Sequence, residues 1–233
     1  MCGKSLGCFC EPAQSETAGV HIDNLRASYL ATDLKGTNHG QYQYGVTLGT
    51  TAGALTRETD KAATFDGLDD YVRVDRAISD DFSIEFWFKS TQGIGAATIT
   101  DWYNTAGLVD ADVTGTANDF GVGLRSDGRV LAGIGNPDTT IISTTSTAYN
   151  DGNWHHVVFT RTRSPSALAL YVDGVANGTA VGSTASLTAS SALNFGKRAS
   201  GSNYFAGSLD EVAVYNRVLS AATVLKHYQA GVR

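Results

Sequence analysis

The chain has 233 residues, a length that favours one large domain with a single core. Its formal net charge is −6, and no basic stripe or basic-aromatic cluster offsets this, so nucleic acid is not expected as a partner. No apolar run approaches the roughly 18 residues that a transmembrane helix needs, so no membrane span is expected.

The first 24 residues show little periodicity and hold all three cysteines of the chain, Cys2, Cys8 and Cys10. This stretch lacks the apolar segment of a secretory signal, and its cysteine spacing matches no familiar zinc pattern. Exposed thiols and a local or intermolecular disulfide are both compatible with it. We expect residues 1–24 to form an N-terminal arm that docks on neighbouring protein chains, and residues 25–233 to form the domain.

Strand-like segments separated by turn signals recur from Leu25 onward. Residues 33–40 form a loop rich in Asp, Gly and Asn, and residues 63–74 alternate as strands around an acidic turn that begins at Asp66. Gly is frequent, with 26 residues, and Pro is rare, with 3, which suits strands joined by tight turns. The pattern predicts an all-β domain.

The clearest alternation lies in the segment Phe82–Lys89, where apolar and other residues take turns. Four large apolar side chains fall on one face of this predicted strand and are expected in the core: Phe82, Ile84, Phe86 and Phe88. Three more core residues are expected in later strands: Val158, Leu170 and Val212. Trp87 lies on the opposite face, where packing is the simpler interpretation.

Two Asp-Gly pairs, at residues 127–128 and 173–174, predict tight hairpin turns, because this dipeptide accepts a positive φ. Between them, a strand begins at Trp154 and carries two consecutive histidines, His155 and His156. Consecutive strand residues point to opposite faces, so these two imidazoles cannot act together on one face. We expect both to be structural, hydrogen-bonded residues.

Three phrases carry a resemblance to a known family: residues 63–74, residues 151–161 with their Trp-His-His strand, and residues 205–220. Together they closely resemble the laminin-G-like, concanavalin A-like lectin-glucanase jelly-roll family, over nearly all of the chain outside the arm. The resemblance implies an all-β, two-sheet antiparallel jelly-roll sandwich with a short C-terminal helix, for which Ser220 is a good N-cap. This family is a scaffold for binding sugars, proteins or calcium, and most of its members catalyse nothing.

Calcium is the cofactor that the resemblance favours, because the family's first and last strands lie near each other and here both carry acids. Hard cations prefer carboxylate, carbonyl and water oxygens at loop ends. Asp66 and Asp210 are the expected side-chain ligands of a structural Ca²⁺ ion, with carbonyl groups of residues 33–40 completing the shell. The alternative is that both acids only cap turns or accept backbone N–H bonds.

A ligand site is expected in the long connection that begins at Asp101 and runs through Asn118, since recognition usually sits in long loops on a rigid scaffold. Trp102 and Tyr103 have rings that stack on sugars, and Asp101 and Asn104 have groups that bond sugar hydroxyls. The alternative is that this loop folds back and covers the edge of the core.

A glycoside hydrolase on this scaffold needs two converging carboxylates, which laminarinase-type relatives supply as Glu-x-Asp-x-x-Glu. The chain has no such motif, and its adjacent acids alternate across strands or lie in turns. Glu85 is the one acid in mid-strand beside an aromatic residue of the same face, where a general acid would have to lie. We expect no catalytic activity.

Three functions remain, in decreasing order. The first is a non-catalytic surface or adhesion module that binds a glycan or glycoprotein surface and is attached to a larger assembly through residues 1–24. The second is a structural decoration or cement protein of a virion capsid or tail, and the third is a glycoside hydrolase. The first two place the protein outside the cell or on a virion surface.

Overall fold

Two antiparallel sheets pack face to face in the computed structural model, which describes residues 21–22, 30–31, 37–94, 96–143 and 148–233. Strands are numbered in chain order. One sheet, the first sheet, contains β1 (His21–Ile22), β4 (Thr47–Ala52), β5 (Lys61–Asp66), β7 (Phe82–Lys89), β12 (Trp154–Thr162), β13 (Ala167–Val172), β14 (Val175–Val181) and β16 (Ala206–Tyr215). The second sheet contains β2 (Leu30–Ala31), β3 (Gly40–Gln43), β6 (Tyr71–Asp75), β8 (Ala106–Asp110), β9 (Phe120–Leu124), β10 (Val130–Ile134), β11 (Thr139–Ile142) and β15 (Ala192–Phe195).

The strand order confirms the predicted sandwich topology. The first sheet runs β14-β13-β12-β7-β16-β5-β4, with β1 pairing to β16, and the second runs β11-β10-β9-β8-β15-β6-β3-β2. Neighbours in space are often distant in sequence, as where β16 lies between β5 and β7. A 3₁₀ turn, Trp102–Asn104, precedes β8, and one helix, α1 (Ala221–Gly231), follows the last strand.

The core between the sheets is built from alternate residues of their facing strands, as the sequence predicts for β7. Six of the seven expected core residues are buried there: Phe82, Ile84, Phe86, Phe88, Leu170 and Val212. Val158 is buried elsewhere, and its predicted place in this core is wrong. Phe159, its neighbour on β12, takes the inward position, so Val158 points to the outer face of the first sheet.

Helix α1 covers that outer face. Its N-cap is Ser220, as predicted, and the Ser220 hydroxyl accepts the backbone N–H of Thr223 at 3.2 Å. Val158 packs against the helix, and Trp87 stacks on Tyr228 with 5.8 Å between ring centroids. Among the described residues, no helix is long and apolar enough to cross a membrane.

Glu85 lies beneath α1 and is only 5% exposed. Its carboxylate accepts hydrogen bonds from His156 Nε2 at 2.8 Å, from His227 Nδ1 at 2.9 Å and from the Tyr215 hydroxyl at 2.9 Å. Burial alone would raise the pKa of Glu85, but the bonds from the two histidines hold it below its usual range. Glu85 is thus a structural anion that joins three elements of the fold.

His155 confirms the prediction that the two consecutive histidines face opposite ways. Its ring contacts Phe88 on the inner side of the sheet, and its Nδ1 lies 2.9 Å from Asp173 Oδ2, whereas His156 faces outward to Glu85. Both imidazoles have the hydrogen-bonded, structural setting that the sequence predicts.

Part of the predicted arm joins the first sheet. The backbone of β1 pairs with Val212 and Ala213 of β16. The remainder of residues 1–24, with the cysteines, lies outside the described residues, as do residues 33–36 of the predicted calcium-binding loop.

Replacing Glu85 tests its structural role. Glu85→Ala leaves three buried donors without their acceptor, so we expect the free energy of unfolding in urea to fall by about 3–5 kcal/mol at pH 7. Because folding lowers the pKa of Glu85, its contribution is present above the carboxyl pKa of the unfolded chain, about 4.3, and is lost as the pH falls further. The difference between the two proteins therefore shrinks in acid.

Asp75→Ala is the matched control, because Asp75 is an exposed acid on β6, and it changes stability by no more than about 0.5 kcal/mol. Equal losses in the two variants would contradict the role of Glu85.

Candidate functional site

Three glycines form a slot on the outer face of the second sheet. On β9, Phe120, Val122 and Leu124 point into the core, so Gly121 and Gly123 face outward beside Gly133 of β10. The Trp102 ring fills this slot, and a Cβ atom on Gly121 would lie only 2.6 Å from a ring carbon. The slot therefore requires glycine at these positions.

Trp102 is consequently only 1% exposed. The prediction that its ring stacks on a ligand is wrong in this structure, because the ring lies against the sheet and presents no open face. The loop does cover the sheet, which was the alternative interpretation. Trp102 positions the residue that follows it.

Tyr103 is that residue, and it is half-buried at the edge of a cleft of about 510 Å³. Its ring meets the Trp102 ring edge to face, with centroids 5.5 Å apart, and the Arg198 guanidinium lies 5.6 Å from its centroid. We call this space the Tyr103 cleft. Its charged and amide side chains are Asp112, Asp119, Asn136, Asp138 and Arg198.

The other two residues of the predicted ligand site, Asp101 and Asn104, do not line the cleft. Asn104 Nδ2 donates to Asp101 Oδ2 at 3.4 Å, so the two bond each other. Burial raises the pKa of Tyr103, and the negative charges of Asp101 and Asp138 raise it further. The Tyr103 hydroxyl therefore stays protonated at neutral pH.

Hydrogen bonds hold the carboxylates of the cleft in place. Arg198 Nε donates to Asp112 Oδ2 at 2.8 Å, and the Ser200 hydroxyl donates to the same oxygen. Asp119 Oδ2 accepts the backbone N–H of Val113 at 2.8 Å. Burial raises the pKa of Asp119 to about 6, and repulsion from Asp112 and Asp138 contributes to this rise.

Asp110 lies fully buried next to these groups. Its Oδ1 accepts the backbone N–H groups of Ala199 at 2.9 Å and Asp112 at 2.8 Å, which ties two loops to the end of β8. Burial nevertheless raises the pKa of Asp110 to about 7. A second cleft, of about 390 Å³, adjoins the first and shares Asp112 with it, and Arg73 is the exposed cation there.

Sequence reasoning found Tyr103 but missed the other residues of the Tyr103 cleft, because they come from separate loops that only the fold brings together. One signal was available. The alternation Phe-Gly-Val-Gly-Leu in β9 leaves an outer face without side chains, which indicates that something large packs there.

The structure separates the two expected calcium ligands. Asp66 pairs with Ala206 across β5 and β16, so Asp210, four residues farther along β16, lies about 13 Å away at the usual rise per residue. Asp66 Oδ1 accepts the backbone N–H of Leu68 at 2.7 Å, the turn-capping alternative. Asp66 and Asp210 therefore do not form one site.

Asp210 lies where β16 changes its neighbour. β5 pairs with β16 as far as Leu209 and β1 pairs from Val212, and between them the pairing register with β7 shifts. Asp210 Oδ2 accepts the backbone N–H of Ala54 at 2.6 Å. Burial raises the pKa of Asp210 to about 7, with repulsion from Glu211 and Asp60 adding to it.

Beside Asp210, the carboxylates of Glu58, Asp60 and Glu211 have oxygens within 4.8 Å of one another. Both carboxylate oxygens of Asp60 are buried, and neither has a hydrogen-bond partner in the described part of the chain. A set of hard oxygen donors with such an unsatisfied member fits a divalent cation such as Ca²⁺.

The different settings of Trp102 and Tyr103 predict different stabilities for their alanine variants. Trp102→Ala empties the glycine slot and should lower the free energy of unfolding by about 3–5 kcal/mol. Tyr103→Ala removes a half-buried ring at the cleft and should cost no more than about 1 kcal/mol. Urea unfolding measures both, and the reverse ranking would contradict the assignment of the two rings.

Solved structures with the same fold share little sequence with this chain. Domain 4 of AbnA, a GH43 extracellular arabinanase from Geobacillus stearothermophilus in complex with arabinotriose, has a TM-score of 0.65 at 19% identity, covering 91% of this chain and 97% of that one. The binding domain of botulinum neurotoxin DC in complex with SialylT has a TM-score of 0.64 at 12% identity, covering 91% and 50%. The binding domain of Paraclostridial Mosquitocidal Protein 1 has a TM-score of 0.64 at 16% identity, covering 84% and 48%. The chain thus spans about half the length of the two toxin domains.

At these identities the likeness shows the fold alone, and no curated protein matches the chain in sequence. The family is shown by a sequence profile, that of the concanavalin A-like lectin/glucanases superfamily, which matches residues 65–225, more than half of the chain. With its jelly-roll sheets and closing helix, the chain belongs to the concanavalin A-like lectin/glucanase superfamily.

Proposed function

We propose that this protein is a non-catalytic carbohydrate-binding module and that the Tyr103 cleft holds the sugar. The observation that carries the proposal is a half-buried aromatic ring beside fixed carboxylates, an amide and a guanidinium in one cleft of about 510 Å³. Clefts of about 300–1,000 Å³ are typical of small-ligand sites. A sugar has an apolar face that stacks on Tyr103 and hydroxyl groups that donate to Asp119 or Asp138.

The related structures support this proposal by analogy of fold. Domain 4 of AbnA was solved with arabinotriose, and the neurotoxin DC domain with SialylT. Both ligands are named as bound to those proteins, and the shared sandwich supports a similar task for this one.

The absence of catalysis is part of the proposal. Glu85, the acid that the sequence singled out as a general-acid position, lies beneath α1 and bonds His156 and His227, away from the Tyr103 cleft. Inside the cleft, Asp112 is paired with Arg198, which favours a constant charge over proton transfer. Attachment through residues 1–24 and a position outside the cell or on a virion stay predictions from the sequence.

We also propose a structural calcium ion, held by Glu58, Asp60 and Glu211 with Asp210 beside them. The support is the buried, unsatisfied carboxylate of Asp60 within this group. A cation there would neutralise carboxylates gathered where β16 changes from β5 to β1 as its neighbour. Its role would be to stabilise the folded state, because it binds the folded chain and not the unfolded one.

The sugar proposal predicts a selective loss in Tyr103→Ala. We expect the affinity for a glycan selected on a glycan array, with arabinotriose as the first soluble probe, to fall at least tenfold, or about 1.4 kcal/mol, while the fold is retained. Isothermal titration calorimetry measures this. Tyr44→Ala is the control, since Tyr44 is 74% exposed and lies outside the cleft. Equal losses in both variants, or no binding of any glycan by the wild type, would count against the site.

The calcium proposal predicts that excess Ca²⁺ stabilises the protein relative to a chelator by about 2.7 kcal/mol when its concentration is 100 times the Kd. For a domain of this size, that is a rise in Tm of about 5–10 °C in thermal unfolding. Asp60→Asn should remove the difference and Asp66→Asn should keep it. Identical melting curves of the wild type in calcium and chelator would exclude the ion.

A further inference from the structure

The charges that face the Tyr103 cleft are unbalanced. Three carboxylates line it, those of Asp112, Asp119 and Asp138, and Arg198 is the one cation among the described lining residues. With all four groups ionised, the lining carries a formal charge of −2. The side chains that wait for a ligand are therefore mainly hydrogen-bond acceptors with negative charge.

Arg198 is already engaged by the protein. Its Nε donates to Asp112 Oδ2 at 2.8 Å, and its guanidinium lies against the Tyr103 ring. A carboxylate on a ligand would have to compete with Asp112 for this cation. Asp119 and Asp138 receive no such ion pair from the residues that the structure describes around the cleft, so their charge is directed at the ligand.

The groups behind the cleft add no positive charge. Asp110 is fully buried beside Asp112, with its Oδ1 bonded to two backbone N–H groups. Asp101 acts on the Tyr103 hydroxyl from the other side. The acidic character of the cleft thus extends beyond its lining.

We propose that the Tyr103 cleft selects sugars by charge: it binds saccharides that are uncharged or carry an amino group, and it rejects those that carry a carboxylate or sulfate. This inference rests on the proposed function and names the class of sugar. Like charges brought within a few ångströms in a partly buried site repel strongly, and interfaces use such repulsion to exclude wrong partners. We expect discrimination of about tenfold or more between an acidic sugar and its uncharged counterpart.

The test is an array that carries sialylated glycans next to their desialylated counterparts, and glucosamine oligomers next to their N-acetylated forms. We expect each neutral glycan that binds to be bound at least tenfold more tightly than its sialylated form. The ratio should fall in 0.5 M NaCl, because salt screens the repulsion within about 10 Å even at 0.1 M. An acidic glycan bound as tightly as its neutral counterpart would overturn the inference.

A charge variant locates the effect. Asp138→Asn keeps the shape of an exposed side chain at the cleft and should reduce the neutral-to-acidic ratio at least threefold. Asp75→Asn, a change of the same kind outside the cleft, should leave the ratio unchanged. An unchanged ratio in Asp138→Asn would overturn the inference while leaving sugar binding intact. No binding of any glycan by the wild type would overturn the proposed function, and this inference with it.

Discussion

Strand β7 is buried on both faces, and the rest of the structure depends on this. One face supplies Phe82, Ile84, Phe86 and Phe88 to the core between the sheets. The other lies beneath α1, where an acid is acceptable only because Glu85 receives hydrogen bonds from two histidines and a tyrosine. The helix thereby closes the outer face of the first sheet and leaves the outer face of the second sheet for the Tyr103 cleft.

The sequence predicts well whatever depends on local periodicity. The alternation of β7, the opposite faces of His155 and His156, and the Ser220 cap all follow from neighbours within a few residues. Val158 shows the limit of this reasoning. Its strand is apolar on both faces, so its composition alone cannot tell the inter-sheet core from the layer under α1.

Sites assembled from distant segments were harder to predict. Asp66 and Asp210 lie on paired strands, as expected, but only the register shows that they are four residues apart. Trp102 was recognised as an aromatic residue in a long loop, whereas its burial depends on glycines of two other strands. Tyr103 and Arg198 meet through tertiary packing that no local pattern encodes.

The buried acids of this protein divide by the company they keep. Glu85 is surrounded by donors, so its pKa is lowered and its charge is used up within the fold. Burial raises the pKa of Asp119 to about 6 and that of Asp210 to about 7, and in each case neighbouring carboxylates add to the rise. Such groups retain an unmet demand for a cation or a hydrogen-bond donor. That demand is what connects the two proposals: one acidic group is suited to a metal ion, and the other to the hydroxyl or amino groups of a sugar.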